Sequence, residues 1–237
     1  MATVLPDPAS KRLLLSCLLL SCPPVFAQAT DFKTLCEEQL PAPSLQVKRA
    51  ESGHSIDRHL SYRELTGMGA GLLRHGKQNV LGITRAETST TVEVKMARLE
   101  HKESGQECVS PQVVVNILYK PIEVFIGREF PPDTCAYREI LLHEMRHVHA
   151  YQDHLPQVQA ALRIKLGRLF SDRIIYGQPG GPEEKLKADI HKRWLPVVDN
   201  EIRKVDAAQA EIDSAAEYNR MEKVCDGEVQ RLMEPGD

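Results

Sequence analysis

Hydrophobic and polar positions alternate over much of residues 62–130, which is the period of β-structure. Residues 91–99 alternate strictly and predict a strand with one face on the core. Residues 113–119 form a nearly continuous apolar run, which predicts a strand buried on both faces. Residues 122–130 alternate again. This part of the chain is therefore predicted to be rich in strands.

Beyond Thr134 the hydrophobic spacing changes to that of helices. A turn with an N-cap residue at 131–134 precedes apolar residues at helical intervals, and Pro156 is predicted to kink or end this first helix. Apolar spacing continues over 158–175, and the run at 178–182 is a clear break. A long amphipathic helix is then predicted over 186–212, with a kink at Pro196.

Strands followed by helices predict an α+β fold. We expect a small, mainly antiparallel sheet, followed by the helix that begins after Thr134 and by long C-terminal helices. Residues 30–237 are enough for a single domain with a sizeable core, strand-rich over 30–130 and helical over 131–237.

The first 29 residues are typical of a signal peptide. Lys11 and Arg12 precede a short apolar run at 13–20, and small-x-small cleavage sites follow at 25–27 and 27–29. A lipoprotein signal at 19–22 is the less favoured alternative. No segment is long and apolar enough to predict a membrane span. The expected location is the periplasm or the extracellular medium.

Charge and cysteines narrow the class further. A net charge of −3 without a basic stripe gives no reason to expect a nucleic-acid partner. Four cysteines remain after the signal peptide, and in an oxidising compartment two disulfides are plausible. Among three connectivities we expect Cys108–Cys135 and Cys36–Cys225, with free buried thiols as the alternative. Without C-x-x-C spacing among these four, a zinc site made of cysteines is not expected.

The most informative motif is H-E-x-x-H at residues 143–147. On a helix, His143 and His147 project from one face at a distance that suits a shared Zn²⁺. Glu144 lies beside them, where a carboxylate can accept a proton from a zinc-bound water. The alternative is an exposed helix with ordinary surface histidines.

A catalytic zinc usually has a third protein ligand. Asp153 lies ten residues after His143, which is the spacing of the third ligand in metzincin proteases. Those proteases need a glycine at the helix end so that the chain turns back, and this chain has Ala150 at that position. His154 lies two turns beyond the motif and is better suited to line a cleft. Glu222 and Asp226, four residues apart near the C-terminus, are further candidates, with a solvated helix face as the alternative.

The motif region and tail resemble a bacterial family of predicted secreted zinc-dependent proteases with a zincin-like fold. The resemblance covers about residues 60–232 and rests on 139–151 and on a tail that includes 217–219 and 226–227. Only the H-E-x-x-H pentapeptide is specific. The family has a histidine where this chain has Asp226, so the resemblance implies a ligand role for Asp226, with Glu222 as its neighbour.

The predicted function is a periplasmic or secreted zinc peptidase that acts on a peptide or protein of the cell envelope, with Glu144 as general base. Tyr218, His149 and His154 are candidate donors to the oxyanion. Residues 122–130 are expected to form the edge strand with which a substrate pairs. The alternative is a non-catalytic envelope binding or scaffold protein, in which zinc is structural or absent.

Overall fold

The computed structural model describes residues 31–50, 53–69 and 79–234, so the predicted signal peptide lies outside the described residues. The described chain is a mixture of helix and strand, which confirms the α+β class. The strands are β1 (Ser44–Ala50), β2 (His54–Asp57), β3 (Gly82–Arg85), β4 (Thr88–His101), β5 (Gln106–Tyr119), β6 (Ile122–Ile126) and β7 (Ile175–Gly177). The helices are α1 (Phe32–Gln39), α2 (Tyr62–Gly69), α3 (Cys135–Phe170), α4 (Gly181–Asp189), α5 (Leu195–Ile202), α6 (Val205–Ile212), α7 (Ala215–Met221) and α8 (Glu228–Met233).

The strands form two small sheets instead of the single sheet expected. In the first, β5 lies between β1 and β4 and also pairs with β7; in the second, β6 lies between β2 and β3. Each sheet is mixed, because β1–β5 and β2–β6 are parallel while the remaining pairs are antiparallel. The expectation of a mainly antiparallel sheet is therefore only partly right.

Two details of the predicted strands are wrong. Residues 113–119 are not buried on both faces: fully buried residues alternate with partly buried ones, because only one face packs against the core. The expected edge strand is instead the central strand of its sheet, since β6 is paired on both sides. Strand β3 forms the edge of this sheet that packs against the motif helix.

The helix that carries the H-E-x-x-H motif is a single element of 36 residues. Thr134 is its N-cap, with its hydroxyl accepting a hydrogen bond from the backbone N–H of Tyr137. Glu228 accepts a second bond from the N–H of Ala136, placing a negative charge at the positive end of the helix dipole. The helix continues through Pro156, so of the kink or ending predicted there, the ending is wrong.

The C-terminal part is helical, as predicted, but it is divided by several turns. A π-helical turn at Ile190–Trp194 joins α4 to α5 next to Pro196. The chain then turns at Arg203 and Lys204 before α6, and again at Asp213 and Ser214 before α7. Both α5 and α6 pack against α3. These turns replace the one long helix expected over 186–212.

Two disulfides are present, but their pairing differs from the one expected. Cys36 bonds to Cys108, which ties α1 to β5, and Cys135 bonds to Cys225, which ties the start of α3 to the tail. The expected Cys108–Cys135 and Cys36–Cys225 pairs are wrong because Cys108 faces α1, whereas the tail returns to the beginning of α3.

The main hydrophobic core joins β5, β6 and α3 to the C-terminal helices. No helix of the described residues is long and apolar enough to cross a membrane.

Candidate metal centre

The two motif histidines lie on the wall of a cavity of about 850 Å³. Residues of β3, α3, α6, α7 and α8 line this cavity. His147 is buried, and the side chain of His143 is only 13% exposed. The alternative of ordinary surface histidines on an exposed helix is therefore not what the structure has.

Three side-chain atoms converge at the polar end of this cavity. Nε2 of His143, Nε2 of His147 and Oδ1 of Asp213 each lie 3.2 Å from the other two. For bonds of about 2.0–2.2 Å to a tetrahedral zinc, neighbouring ligand atoms lie about 3.3–3.6 Å apart. Two imidazole nitrogens and one carboxylate oxygen are also a donor set that zinc accepts. The three residues are thus suited to hold one metal ion.

Asp213 reaches the histidines because the chain turns at that point. It follows the last residue of α6 and precedes Ser214, the N-cap of α7, whose side chain accepts from the N–H of Glu217. Its backbone has left the helical conformation, so its side chain does not point in the direction that a continued helix would impose. The Asp213 side chain is 41% exposed, which leaves the centre accessible to solvent.

Each histidine has a second partner on its other ring nitrogen. Nδ1 of His143 lies 3.2 Å from Oε1 of Glu217, and Nδ1 of His147 contacts Oε1 of Gln209. If Nδ1 carries the proton and donates it to these oxygens, Nε2 presents its lone pair to the other ligand atoms. In that tautomer, Glu217 and Gln209 hold both rings with Nε2 directed toward Asp213.

Arg146 completes the surroundings of His143. Its Nη2 lies 2.8 Å from Nδ1 of His143 and also contacts Oε1 of Glu217. A guanidinium can only donate, so Arg146 donates to Oε1 of Glu217. Arg220 also donates to Glu217 and, with His143 and Arg146, lowers the pKa of Glu217 to about 2 although burial tends to raise it. Glu217 is therefore charged at neutral pH.

The electrostatics of the three converging residues favour a cation between them. Burial tends to lower the pKa of His147, but Asp213 and Glu144 outweigh it and the pKa is raised. Burial tends to raise the pKa of Asp213, but its interactions with the two histidines outweigh burial and hold the pKa below its ordinary value. Negative charge on this side of the cavity therefore attracts either a proton or a metal ion.

Glu144 is almost fully enclosed, with 3% of its surface exposed. Thr84 on β3 donates a hydrogen bond of 2.8 Å to its Oε2. Burial raises the pKa of Glu144, and the two histidines and Thr84 offset part of that shift. A carboxylate with a raised pKa is suited to accept a proton and release it again.

Tyr218 lies on the cavity wall, immediately after Glu217. Burial, together with the negative charges of Asp213 and Glu144, raises its pKa to about 12. Its hydroxyl therefore keeps its proton at neutral pH and is able to donate a hydrogen bond into the cavity.

The three acids considered as third ligands from the sequence do not belong to the group of converging donor atoms. Asp226 is exposed and does not line the cavity, because the neighbouring Cys225 is tied to Cys135, about 12 Å along the helix axis from His143. Glu222 lines the cavity but does not belong to the group of converging donor atoms. Asp153 is exposed on the unbroken helix α3.

The remaining histidines of the motif helix do not line the cavity. Nδ1 of His154 lies 3.0 Å from the hydroxyl of Tyr119, and His149 is exposed. Among the three candidate oxyanion donors, only Tyr218 faces the converging histidines and Glu144.

Sequence reasoning missed Asp213, Gln209 and Thr84, and it considered Glu217 only as part of the tail resemblance. One signal was available: Asp213 and Glu217 are four residues apart, the same spacing as Glu222 and Asp226. That spacing alone did not distinguish the two pairs. No protein-family model, curated protein or solved structure matches this chain.

Proposed function

We propose that this protein is a zinc-dependent peptidase with a zincin-like active site, which acts in the periplasm or outside the cell. The observation that carries the proposal is the convergence of His143, His147 and Asp213 through atoms 3.2 Å apart. Glu144, between the histidines in sequence and buried beside them, adds the base that such a site requires.

The metal would supply one part of the chemistry: a zinc ion held by these residues polarises the carbonyl of a peptide bond and lowers the pKa of a bound water. His143 and His147 contribute neutral nitrogen ligands, and Asp213 contributes the negative charge. Glu217 and Gln209 keep the imidazoles in the required orientation through Nδ1.

The chain's own groups would perform the proton transfers. Glu144 accepts a proton from the attacking water and then delivers it to the nitrogen of the leaving amine. The Tyr218 hydroxyl, protonated because of its high pKa, donates a hydrogen bond to the carbonyl oxygen as negative charge develops there.

Strand β3 is the best candidate for binding an extended substrate. It pairs with β6 on one side, and among the described residues no strand pairs with its other side. It also lines the cavity next to Glu144. A peptide that adds to this free edge would lie across the three ligands. This position replaces β6, which both its neighbours cover.

The export of the protein is supported by its disulfides, which persist in oxidising compartments. The substrate would accordingly be a peptide or protein of the cell envelope.

Hydrolysis of peptides tests this function. Zinc-loaded protein lacking residues 1–29 is incubated with fluorescein-labelled casein and a mixed peptide library, and new termini are detected by mass spectrometry. We expect cleavage that a chelator abolishes and that Glu144→Gln lowers by a factor of about 10² or more while zinc is retained. Cleavage unaffected by Glu144→Gln contradicts the proposal. A metal-loaded protein without any cleavage would favour a non-catalytic envelope binding protein.

A further inference from the structure

Two residues of β3 face the carboxylate of Glu144. Gly82 and Thr84 are two positions apart, so both lie on the face of the strand that packs on α3. The Thr84 hydroxyl lies 2.8 Å from Oε2 of Glu144 and 3.1 Å from its backbone carbonyl oxygen. This strand therefore contacts the proposed general base directly as well as packing on its helix.

At Gly82 the side chain of any other residue would overlap the Glu144 carboxylate. A Cβ at this position would lie 2.7 Å from Oε1 of Glu144 and 2.9 Å from its Cγ. Both distances are shorter than a Cβ atom tolerates, so any side chain here would push the carboxylate aside. The absence of a side chain thus lets the backbone of β3 pack directly against the Glu144 carboxylate.

We propose that Thr84 and Gly82 are positioning residues for Glu144: Thr84 holds Oε2, and Gly82 lets β3 pack against the carboxylate without displacing it. This inference rests on the proposed function and assigns the two carboxylate oxygens of Glu144 different roles. Oε1 accepts the proton when an O–H bond of the water breaks and its oxygen bonds to the carbonyl carbon. The same proton passes to the nitrogen when the C–N bond breaks.

The Thr84 hydroxyl is tested by two substitutions that separate hydrogen bonding from shape. Thr84→Val keeps the branched shape and loses the hydroxyl, whereas Thr84→Ser keeps the hydroxyl. For Thr84→Val we expect kcat to fall by a factor of about 10, KM to change by less than about twofold, and zinc content to be unchanged. Thr84→Ser should remain within about threefold of wild-type kcat. Equal losses in both variants would mean that Thr84 only packs β3 on α3, and would overturn the proposal.

The close packing at Gly82 is tested by Gly82→Ala, with Gly67→Ala as the matched control. A Cβ at Gly67 meets no atom within 4 Å, so this variant should behave as wild type. Gly82→Ala should bind zinc normally and lose kcat by a factor of about 10² or more, because the added methyl group displaces the base. A Gly82→Ala variant with wild-type kcat would overturn the proposal.

Crystal structures of the zinc-loaded wild type and of Thr84→Val separate this proposal from the proposed function. In Thr84→Val we expect the Glu144 carboxylate to rotate away from its wild-type position while His143 and His147 stay in place. An unmoved Glu144 carboxylate contradicts the positioning role even if the wild type is a peptidase. A wild type that cleaves nothing contradicts the proposed function. The comparison of the two structures then still decides whether Thr84 positions the Glu144 carboxylate.

Discussion

Oδ1 of Asp213 lies 3.2 Å from Nε2 of His147, although 66 positions separate the two residues in the sequence. The contact joins the motif helix α3 to the turn between α6 and α7. It brings a carboxylate to the side of the histidines that their Nδ1 partners leave free. The proposed metal centre depends on this junction.

The outer partners of the histidines should affect metal affinity without supplying a ligand. Glu217→Ala removes the acceptor from Nδ1 of His143, and Gln209→Ala removes it from His147. Each should weaken zinc binding by a factor of about 10–100, because the imidazole loses its fixed orientation and tautomer. Competition with a chromogenic chelator measures this affinity. As a control, Glu211→Ala on the exposed side of α6 should bind zinc as wild type does. Wild-type affinity in both outer variants would contradict the assigned roles.

Tyr218→Phe should reduce turnover while leaving metal binding intact. The hydroxyl is the only part removed, and its role is to stabilise negative charge that appears in the transition state. We therefore expect kcat to fall by a factor of about 10–10³ with KM little changed. Steady-state kinetics on a peptide found in the cleavage screen measures both constants. A rise in KM alone would indicate that Tyr218 only binds substrate.

The Cys135–Cys225 disulfide should contribute substantially to stability. It connects residues 90 positions apart and holds the tail against the start of α3. The double variant Cys135→Ala/Cys225→Ala should lose about 2–5 kcal/mol of unfolding free energy in urea denaturation. Peptide mapping without reduction should find Cys135 linked to Cys225 and Cys36 linked to Cys108. A peptide that links Cys108 to Cys135 would contradict the structure.

Glu201 should make stability dependent on pH. Burial tends to raise its pKa, but hydrogen bonds from Lys165 and Lys204 outweigh it, so the pKa in the folded protein lies below the ordinary value. Its contribution is then present above the ordinary pKa of about 4.3 and is lost as the pH falls through the folded pKa. Both lysines are about half exposed, so solvent weakens the interaction.

At pH 7, Glu201→Gln should therefore lower the unfolding free energy by about 1–3 kcal/mol. The difference from wild type should shrink as the pH falls below about 4. Urea denaturation across this pH range measures it, and Glu211→Gln, at an exposed position of α6, serves as the control. A difference that grows at low pH would contradict the assigned charge state.

The sequence predicted what depends on local spacing. The four-residue interval between His143 and His147 places both on one helix face whatever the rest of the chain does. Thr134 and the apolar positions after it likewise predict the start of α3, because an N-cap and a helical period act within a few residues.

The proposed third ligand and the disulfide pairing depend on the path of the chain instead. Asp213 comes to the histidines only because the chain turns before and after α6, and helical periodicity does not specify such turns. Asp226 has equally suitable chemistry, but Cys225 holds it near the beginning of α3. The positions of the four cysteines in the sequence do not specify which pairs meet, since any pairing closes a long loop.

The most direct test of the proposed centre is the zinc content of three purified proteins without residues 1–29: wild type, Asp213→Ala and Asp226→Ala. Each is loaded with zinc, freed of excess by gel filtration, and measured by elemental mass spectrometry. We predict about one zinc per chain in wild type and in Asp226→Ala, and almost none in Asp213→Ala. Loss of zinc in Asp226→Ala but not in Asp213→Ala would assign the third ligand to the tail. A wild type that binds no zinc would contradict the metal centre itself.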